Sequence, residues 1–214
     1  MDRGVNWRLL LALAGVPLMG GCAMMRAGEI VQRPVDGMQW RSVATAGDLR
    51  RLRGWRTAFV QGLEQARAVG HGAAITREGA LLAPDAAIRG PALPNGAYRC
   101  RIVKLGARSP GMLPFVTYPA FPCRLRAEQG VQGFAKLSGS QRPVGLVFPH
   151  DQLRHVFLGT LVLGDETRAM QYGNDPERDV AGFLERIGDR RWRLILPYPR
   201  FESLVDVVEL VPVV

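Results

Sequence analysis

Three closely spaced side chains, His150, Asp151 and His155, have the types that a metal site or a general base requires. Imidazole nitrogens and carboxylate oxygens bind zinc, and the same groups form the base and its orienting partner in hydrolases. With an acidic residue such as Asp165, they would make a hydrolase of cell-wall or lipid material. However, Pro149 precedes them, which is typical of a polar surface turn. We therefore expect no metal and no catalytic residue here, and the envelope hydrolase stays an alternative.

Two other segments contain the glycines of enzyme loops, but each lacks part of the pattern. Residues 138–141 do not complete a nucleophile elbow and are interpreted as a polar turn. Residues 70–72 lack the third glycine of a dinucleotide loop and follow a predicted helix instead of a strand. We therefore expect no cofactor.

Four arginines alternate with two cysteines along two predicted strands. The four are Arg99, Arg101, Arg124 and Arg126. Neighbouring side chains of a strand point to opposite faces, so a bond between Cys100 and Cys123 would turn all four arginines outward. Guanidinium groups bind carboxylates and phosphates, often with two hydrogen bonds. We interpret this face as a candidate site for an anionic ligand such as a lipid headgroup, lipopolysaccharide or peptidoglycan. The alternative is a surface whose charge only keeps the protein soluble.

The first residues have the pattern of a bacterial export signal. Arg3 and Arg8 lie before an apolar run at 9–19, and this run is too short to span a bilayer. Two glycines and Cys22 follow, and this ending resembles a lipobox, in which the cysteine is acylated and becomes the new N-terminus. Ala23, where an acidic residue would favour the inner membrane, indicates the periplasmic face of the outer membrane. The alternative is an ordinary secretory signal with an incidental cysteine.

Export would leave Cys100 and Cys123 in an oxidising compartment, where cysteines pair. The spacing of a redox pair, Cys-x-x-Cys, is absent. We predict a structural disulfide, which would contribute about 3–3.5 kcal/mol for a loop of roughly two dozen residues. The alternatives are two buried thiols or a redox pair of another kind.

The composition is that of a globular protein with an unusual choice of basic residue. Hydrophobic residues make up 47% of the chain, the mean hydropathy is 0.00, and the formal net charge is +9. This composition excludes a mostly disordered chain. Only two of the 28 basic residues are lysines, Lys104 and Lys136. We expect no nucleic-acid partner, because the chain is predicted to be exported, and we expect membrane lipid as a partner through Cys22.

One helix and a series of short strands must position these side chains. Thr45 and Asp48 have the spacing of a capping box, and apolar residues then recur every three or four positions from Leu49 to Ala66. Nine apolar, β-branched or aromatic runs follow, which predict strands. They cover 98–105, 115–118, 123–127, 131–137, 144–148, 155–163, 180–187, 192–196 and 204–211.

These elements predict a mainly β fold with an N-terminal helix, in which an antiparallel sheet of about eight strands closes into a lipocalin-like barrel or folds into a sandwich. The strand at 155–163 is apolar on both faces, so we expect the helix around Trp55 to cover one side of it. In the last strand, Asp206 and Glu209 point to opposite faces, and Arg193 is the expected ion-pair partner of the buried one. The domain boundaries are 1–21 for the signal peptide, 22–39 for a tether and 40–214 for a single domain.

Several segments together resemble a family of exported proteobacterial proteins known only as a domain of unknown function. They are WRSVA at 40–44, YRCR at 98–101 with KLG at 104–106, KLSGSQRP at 136–143, FLGT at 157–160, and RWRL at 191–194 with PYP at 197–199. The resemblance spans Met38 to the C-terminus and implies one domain with no assigned activity and no catalytic residue.

We expect a lipid-anchored periplasmic protein with a non-catalytic domain that binds a ligand or an envelope protein. A small envelope barrel with one disulfide is also similar in architecture to periplasmic inhibitors of secreted metalloproteases. An inhibitor-like module is therefore the second alternative, beside the hydrolase.

Overall fold

The computed structural model describes residues 39–213. The predicted signal peptide, Cys22 and all of the predicted tether except Gln39 lie outside the described residues. The helical elements are α1 (Trp40–Val43), α2 (Ala46–Arg53), α3 (Trp55–Ala68), α4 (Gly72–Glu78) and a 3₁₀ helix (Gly79–Leu82). The strands are β1 (Gly96–Ala107), β2 (Phe115–Thr117), β3 (Phe121–Glu128), β4 (Val131–Lys136), β5 (Gln141–Pro149), β6 (Arg154–Leu163), β7 (Asp179–Gly188), β8 (Arg191–Pro197) and β9 (Ser203–Pro212).

The strands form a closed eight-stranded antiparallel barrel with one extra strand. From β3 onward each strand pairs with the next, and β9 pairs with β1 to close the sheet. The extra strand β2 pairs with the C-terminal half of β1, while β3 pairs with the N-terminal half. The fold is therefore an up-and-down barrel, which confirms the predicted fold class and decides between barrel and sandwich.

The two ends of the barrel differ in how they are filled. At the end that carries the β3–β4, β5–β6 and β7–β8 turns, Tyr98, Leu184 and Trp192 are buried in the interior. Leu93 covers this end, and its carbonyl accepts a hydrogen bond from Gln132 Nε2 at 2.8 Å. We call it the closed end. An eight-stranded barrel is just wide enough for side chains to fill or for one small ligand, and we call the opposite end the open end.

The predicted disulfide is confirmed. Cys100 and Cys123 are bonded across β1 and β3, with their Cα atoms 6.0 Å apart, and both belong to the interior cluster. The neighbouring arginines on these two strands lie outside the barrel, as alternation along a strand predicts.

The single predicted helix is wrong, because the chain forms two helices that meet at Gly54. Thr45 caps the first helix as predicted, accepting a hydrogen bond from the Asp48 N–H at 3.1 Å. At the junction, a β-carbon on Gly54 would come within 2.9 Å of the Tyr198 ring. The two helices therefore meet where the β8–β9 loop approaches their backbone closely.

The two helices cover different strands. Leu52 and Trp55 pack with Val156 and Leu158 on the outer face of β6, which confirms the predicted contact at the helix start. The rest of α3 packs on β1, β8 and β9, where Phe59 joins the outer cluster. None of the described helices is long and apolar enough to cross a membrane.

Candidate functional site

A cavity of about 220 Å³ lies inside the open end of the barrel. Its apolar wall includes Ile102, Phe121, Leu161, Val180 and Leu196. Its polar groups include Lys104, Lys136, Gln141, Glu202 and Asp206, and residues 138–140 of the β4–β5 loop border it. By contrast, the space at the closed end is about 20 Å³, which is room for about one water molecule. The open-end cavity thus combines apolar walls with a few convergent polar groups, which is typical of ligand sites.

Both lysines of the chain line this cavity, and the first is part of a buried ion pair. Lys104 Nζ lies 2.8 Å from Asp206 Oδ2, 3.4 Å from Glu202 Oε2 and 3.4 Å from Gln141 Oε1. The second oxygen of Asp206 accepts a hydrogen bond from Ser203 Oγ. Burial by itself lowers the pKa of Lys104, but the carboxylates of Asp206 and Glu202 outweigh it and raise the pKa above its ordinary value.

The second lysine has a different environment. Lys136 Nζ donates a hydrogen bond to the Gln141 carbonyl at 2.8 Å and lies 4.4 Å from the centre of the Phe121 ring. Among residues 39–213, no carboxylate forms an ion pair with Lys136. Burial, and then the charge of Lys104, lower the pKa of Lys136 below its ordinary value. Two of its three N–H donors are therefore available to a molecule in the cavity.

The β8–β9 loop beside the cavity has a strained backbone. Tyr198 has φ +49° and Glu202 has φ +68°, and in the described part of the chain no other non-glycine residue has a positive φ. Left-handed conformations cost a non-glycine residue on the order of 1 kcal/mol and are concentrated at functional sites. With this conformation, Glu202 has its carboxylate oxygen Oε2 3.4 Å from Lys104 Nζ.

The structure does not assemble the predicted hydrolase residues. His155 lies at the start of β6 near the closed end, whereas Asp165 lies two residues beyond the last residue of that strand, Leu163. The eight residue steps from His155 to Leu163 span about 26 Å. His150 Nε2 is 3.7 Å from Asp151 Oδ2, and its ring contacts Trp40. Burial lowers the pKa of both histidines. In residues 39–213, no group of three His, Cys, Asp or Glu side chains could hold a metal ion.

The outward-facing arginines are only partly available to a ligand. Arg101 is held by two carboxylates, with Glu78 at 2.6 Å and Glu209 at 3.0 Å. Arg126 pairs with Glu128 of its own strand at 2.6 Å. The remaining two, Arg99 and Arg124, are exposed, and in the described chain no carboxylate pairs with them. Anion binding on this face stays a prediction.

The expected pairing of Arg193 with an acidic residue of β9 is wrong. Arg193 pairs instead with Glu185 at 2.7 Å on the outer face of the barrel, whereas Asp206 points inward to Lys104. Asp206 lies on the opposite face from Arg193. Glu209 lies directly opposite Arg193 on the same face, but it pairs with Arg101 and Arg191.

The composition singled out Lys104 and Lys136 as the two lysines of the chain, but neither was predicted to belong to a site. The signal was present, because Lys104 lies two positions after Ile102 and Lys136 lies two after Phe134, on the interior faces of their strands. A charged residue on an interior face needs a partner or a ligand.

A family model described as "Domain of unknown function (DUF4893)" matches residues 40–210. This match confirms the resemblance to an uncharacterised family. No curated protein and no solved structure matches the chain. With most of its length covered by the family model, the chain belongs to the DUF4893 family, a domain of unknown function.

Proposed function

We propose that this protein is a non-catalytic binding protein of the cell envelope, whose barrel holds a small amphipathic molecule in the open-end cavity. The observation that carries the proposal is the cavity itself, which lies inside a closed barrel and has both apolar walls and convergent polar groups. Its volume, about 220 Å³, is below the range of about 300–1,000 Å³ that drug-sized ligands occupy, so the expected ligand is small.

We further propose that the domain is exported and anchored to the outer membrane, on the periplasmic face, through an acylated Cys22. The lipobox-like sequence supports this proposal. The disulfide between Cys100 and Cys123 supports it as well, because structural disulfides form and persist mainly outside the cytosol.

A cavity-filling variant tests the binding proposal. Leu161→Trp places an indole in the cavity, whereas the matched control Leu146→Trp, on the outer face of β5, adds the same volume elsewhere. Native mass spectrometry of the exported, purified full chain should detect a small-molecule adduct on the wild type and the control, and none on Leu161→Trp. The same adduct on all three proteins would contradict binding in the cavity.

Substitution of the acylated residue tests the anchor. Cys22→Ala should move the protein from the membrane fraction to the soluble fraction, because several acyl chains on one residue supply the membrane affinity. Unchanged membrane partition of the variant would rule out acylation as the anchor. Intact-mass measurement of the wild type should show loss of residues 1–21 and the mass of the added lipid.

A further inference from the structure

The charges at the open-end cavity are unequally compensated. Lys104 has three acceptors within 3.4 Å, two of them on carboxylates, which is as many as an ammonium group has donors. Lys136 has one acceptor, the neutral carbonyl of Gln141. The carboxylates of Glu202 and Asp206 both contact Lys104. In residues 39–213, Lys136 is therefore the cation of the cavity that has no carboxylate in direct contact, although the two carboxylates at Lys104 balance the total charge of the four groups.

The position of Lys136 suits an anion that enters from the open end. Its ammonium lies beside the Phe121 ring, at the boundary between the apolar wall and the polar β4–β5 loop. Ser138 and Ser140 of this loop also line the cavity and carry hydroxyl donors. Gly139 lies so close that a β-carbon there would be 3.2 Å from Lys136 Nζ. An anionic group would thus meet one ammonium and nearby hydroxyls. The lowered pKa of Lys136 is consistent with a charge that lacks a partner.

The rest of the cavity suits a short apolar chain. Ile102, Leu161, Val180 and Leu196 line the inner wall, and all of them are at least nine-tenths buried. At about 30 Å³ for each water-sized group, a cavity of about 220 Å³ holds roughly seven non-hydrogen atoms, so the alkyl chain fills it and the head lies at the polar opening beside the β4–β5 loop. One short chain fits this volume, and two long chains do not.

We infer that the ligand is a single-chain amphiphile with an anionic head, a carboxylate or a phosphate, and that Lys136 binds this head. The inference rests on the proposed function, since it names the class of the small molecule that the cavity holds. Lys104 does not bind the head in this arrangement, because its ammonium is already paired with Asp206 and Glu202.

Calorimetric titration with three probes of equal chain length tests the inference. The probes are octanoate, octyl phosphate and the neutral octanol, and the protein is the full chain with Cys22→Ala, which avoids a membrane or detergent that would compete for them. In the wild-type cavity, octanoate or octyl phosphate should bind at least 10-fold more tightly than octanol. Tighter binding of octanoate alone would indicate a carboxylate head, and of octyl phosphate alone a phosphate head.

A variant of Lys136 and a matched control test whether Lys136 binds the head group. Lys136→Met removes the charge and keeps the chain length, and should weaken binding of the anionic probe about 10- to 100-fold, the value of a charge-assisted hydrogen bond. Octanol binding should change less than twofold. Arg53→Met, which removes the same charge from the exposed surface of α2, should leave the binding of all probes unchanged.

The possible failures are distinguishable. If octanol binds as tightly as both anions, or if Lys136→Met binds the anionic probe as the wild type does, the inference is wrong while the binding function stands. If no probe binds and no adduct is found by mass spectrometry, both are wrong. The comparison of octanol with the anions uses the wild-type cavity, so it decides the question even if Lys136→Met does not fold.

Discussion

The two lysines of the chain differ in what surrounds their amines, and the difference is measurable. Burial and the charge of Lys104 lower the pKa of Lys136, whereas the two carboxylates at Lys104 raise its pKa. Arg142 also lowers the pKa of Lys136, and Asp206 opposes this effect. An amine reacts with acylating reagents only when it is deprotonated, so a lowered pKa means reaction at lower pH.

We therefore predict that the acetylation rate of Lys136 reaches its midpoint at a lower pH than that of free Nα-acetyl-lysine. The rate at Lys104 should reach its midpoint at a higher pH. Peptide mass spectrometry after short pulses of acetic anhydride measures both rates in one sample, since the chain has no other lysine. A midpoint for Lys136 at or above that of free lysine would contradict the prediction.

The ion pair between Lys104 and Asp206 is predicted to be sensitive to the loss of either partner. The side chains are 7% and 9% exposed, so Lys104→Met or Asp206→Leu leaves a buried charge without its main counter-charge. Each single variant should lose about 3–5 kcal/mol of unfolding free energy in urea. The double variant should lose less than the sum, because no uncompensated charge of the pair remains.

A surface pair serves as the control for that experiment. Arg126 and Glu128 lie at 2.6 Å, but Arg126 is 74% exposed. Arg126→Met should change the unfolding free energy by less than about 1 kcal/mol. Losses of similar size at Arg126 and Lys104 would mean that burial does not govern the strength of these pairs.

At the scale of elements, one arginine attaches the helical segment to the barrel. Arg193 of β8 is fully buried and donates hydrogen bonds to the carbonyls of Ala80, Leu81, Ala83 and Pro84, at 2.7–3.0 Å. A single guanidinium thus bonds to the 3₁₀ helix and to the loop after it, in addition to the apolar packing of Leu81 and Leu82. A planar group with five donors can satisfy several carbonyls at once, and an ammonium cannot.

Arg193→Lys is therefore predicted to loosen this segment and to lower the unfolding free energy by about 1–3 kcal/mol for each buried carbonyl that loses its donor. Limited proteolysis should show faster cleavage within residues 79–86, and urea unfolding should show the loss of stability. Arg56→Met is the matched control, because Arg56 contacts Asp85 of the same segment from an exposed position. If the Arg193 variant resists the protease as well as the Arg56 variant does, the attachment does not depend on Arg193.

At the scale of the whole molecule, the disulfide joins the first two long strands of the barrel. Its cysteines are 23 positions apart, and the bond restricts the conformations that this loop can adopt in the unfolded chain. The double variant Cys100→Ala, Cys123→Ala should lose about 3–3.5 kcal/mol of unfolding free energy, from the chain entropy of a loop of this length. Cys22→Ala should retain wild-type stability. Equal stability of all three proteins would show that the bond does not stabilise the barrel.

The strands were predictable because their signals are local. Each of the nine predicted runs overlaps an observed strand, since short runs of apolar, β-branched or aromatic residues are a local signal for a strand. The helix break at Gly54 was not predicted, because the apolar period continues through this position, and the Tyr198 ring that leaves no room for a side chain there belongs to a loop distant in sequence. The same reason explains Arg193, whose partners belong to another strand and to the helical segment.

The sequence by itself determined the class of fold and the outward direction of the arginines beside the cysteines, because alternation is a property of neighbouring residues. It also determined the disulfide, because two cysteines remain once Cys22 is assigned to the lipid. Only the tertiary structure decided that the barrel closes and that Lys104, Lys136 and Asp206 line one cavity. Lys104 and Asp206 are 102 positions apart. They meet because β9 pairs with β1, and the register of that closure depends on the packing of the whole interior.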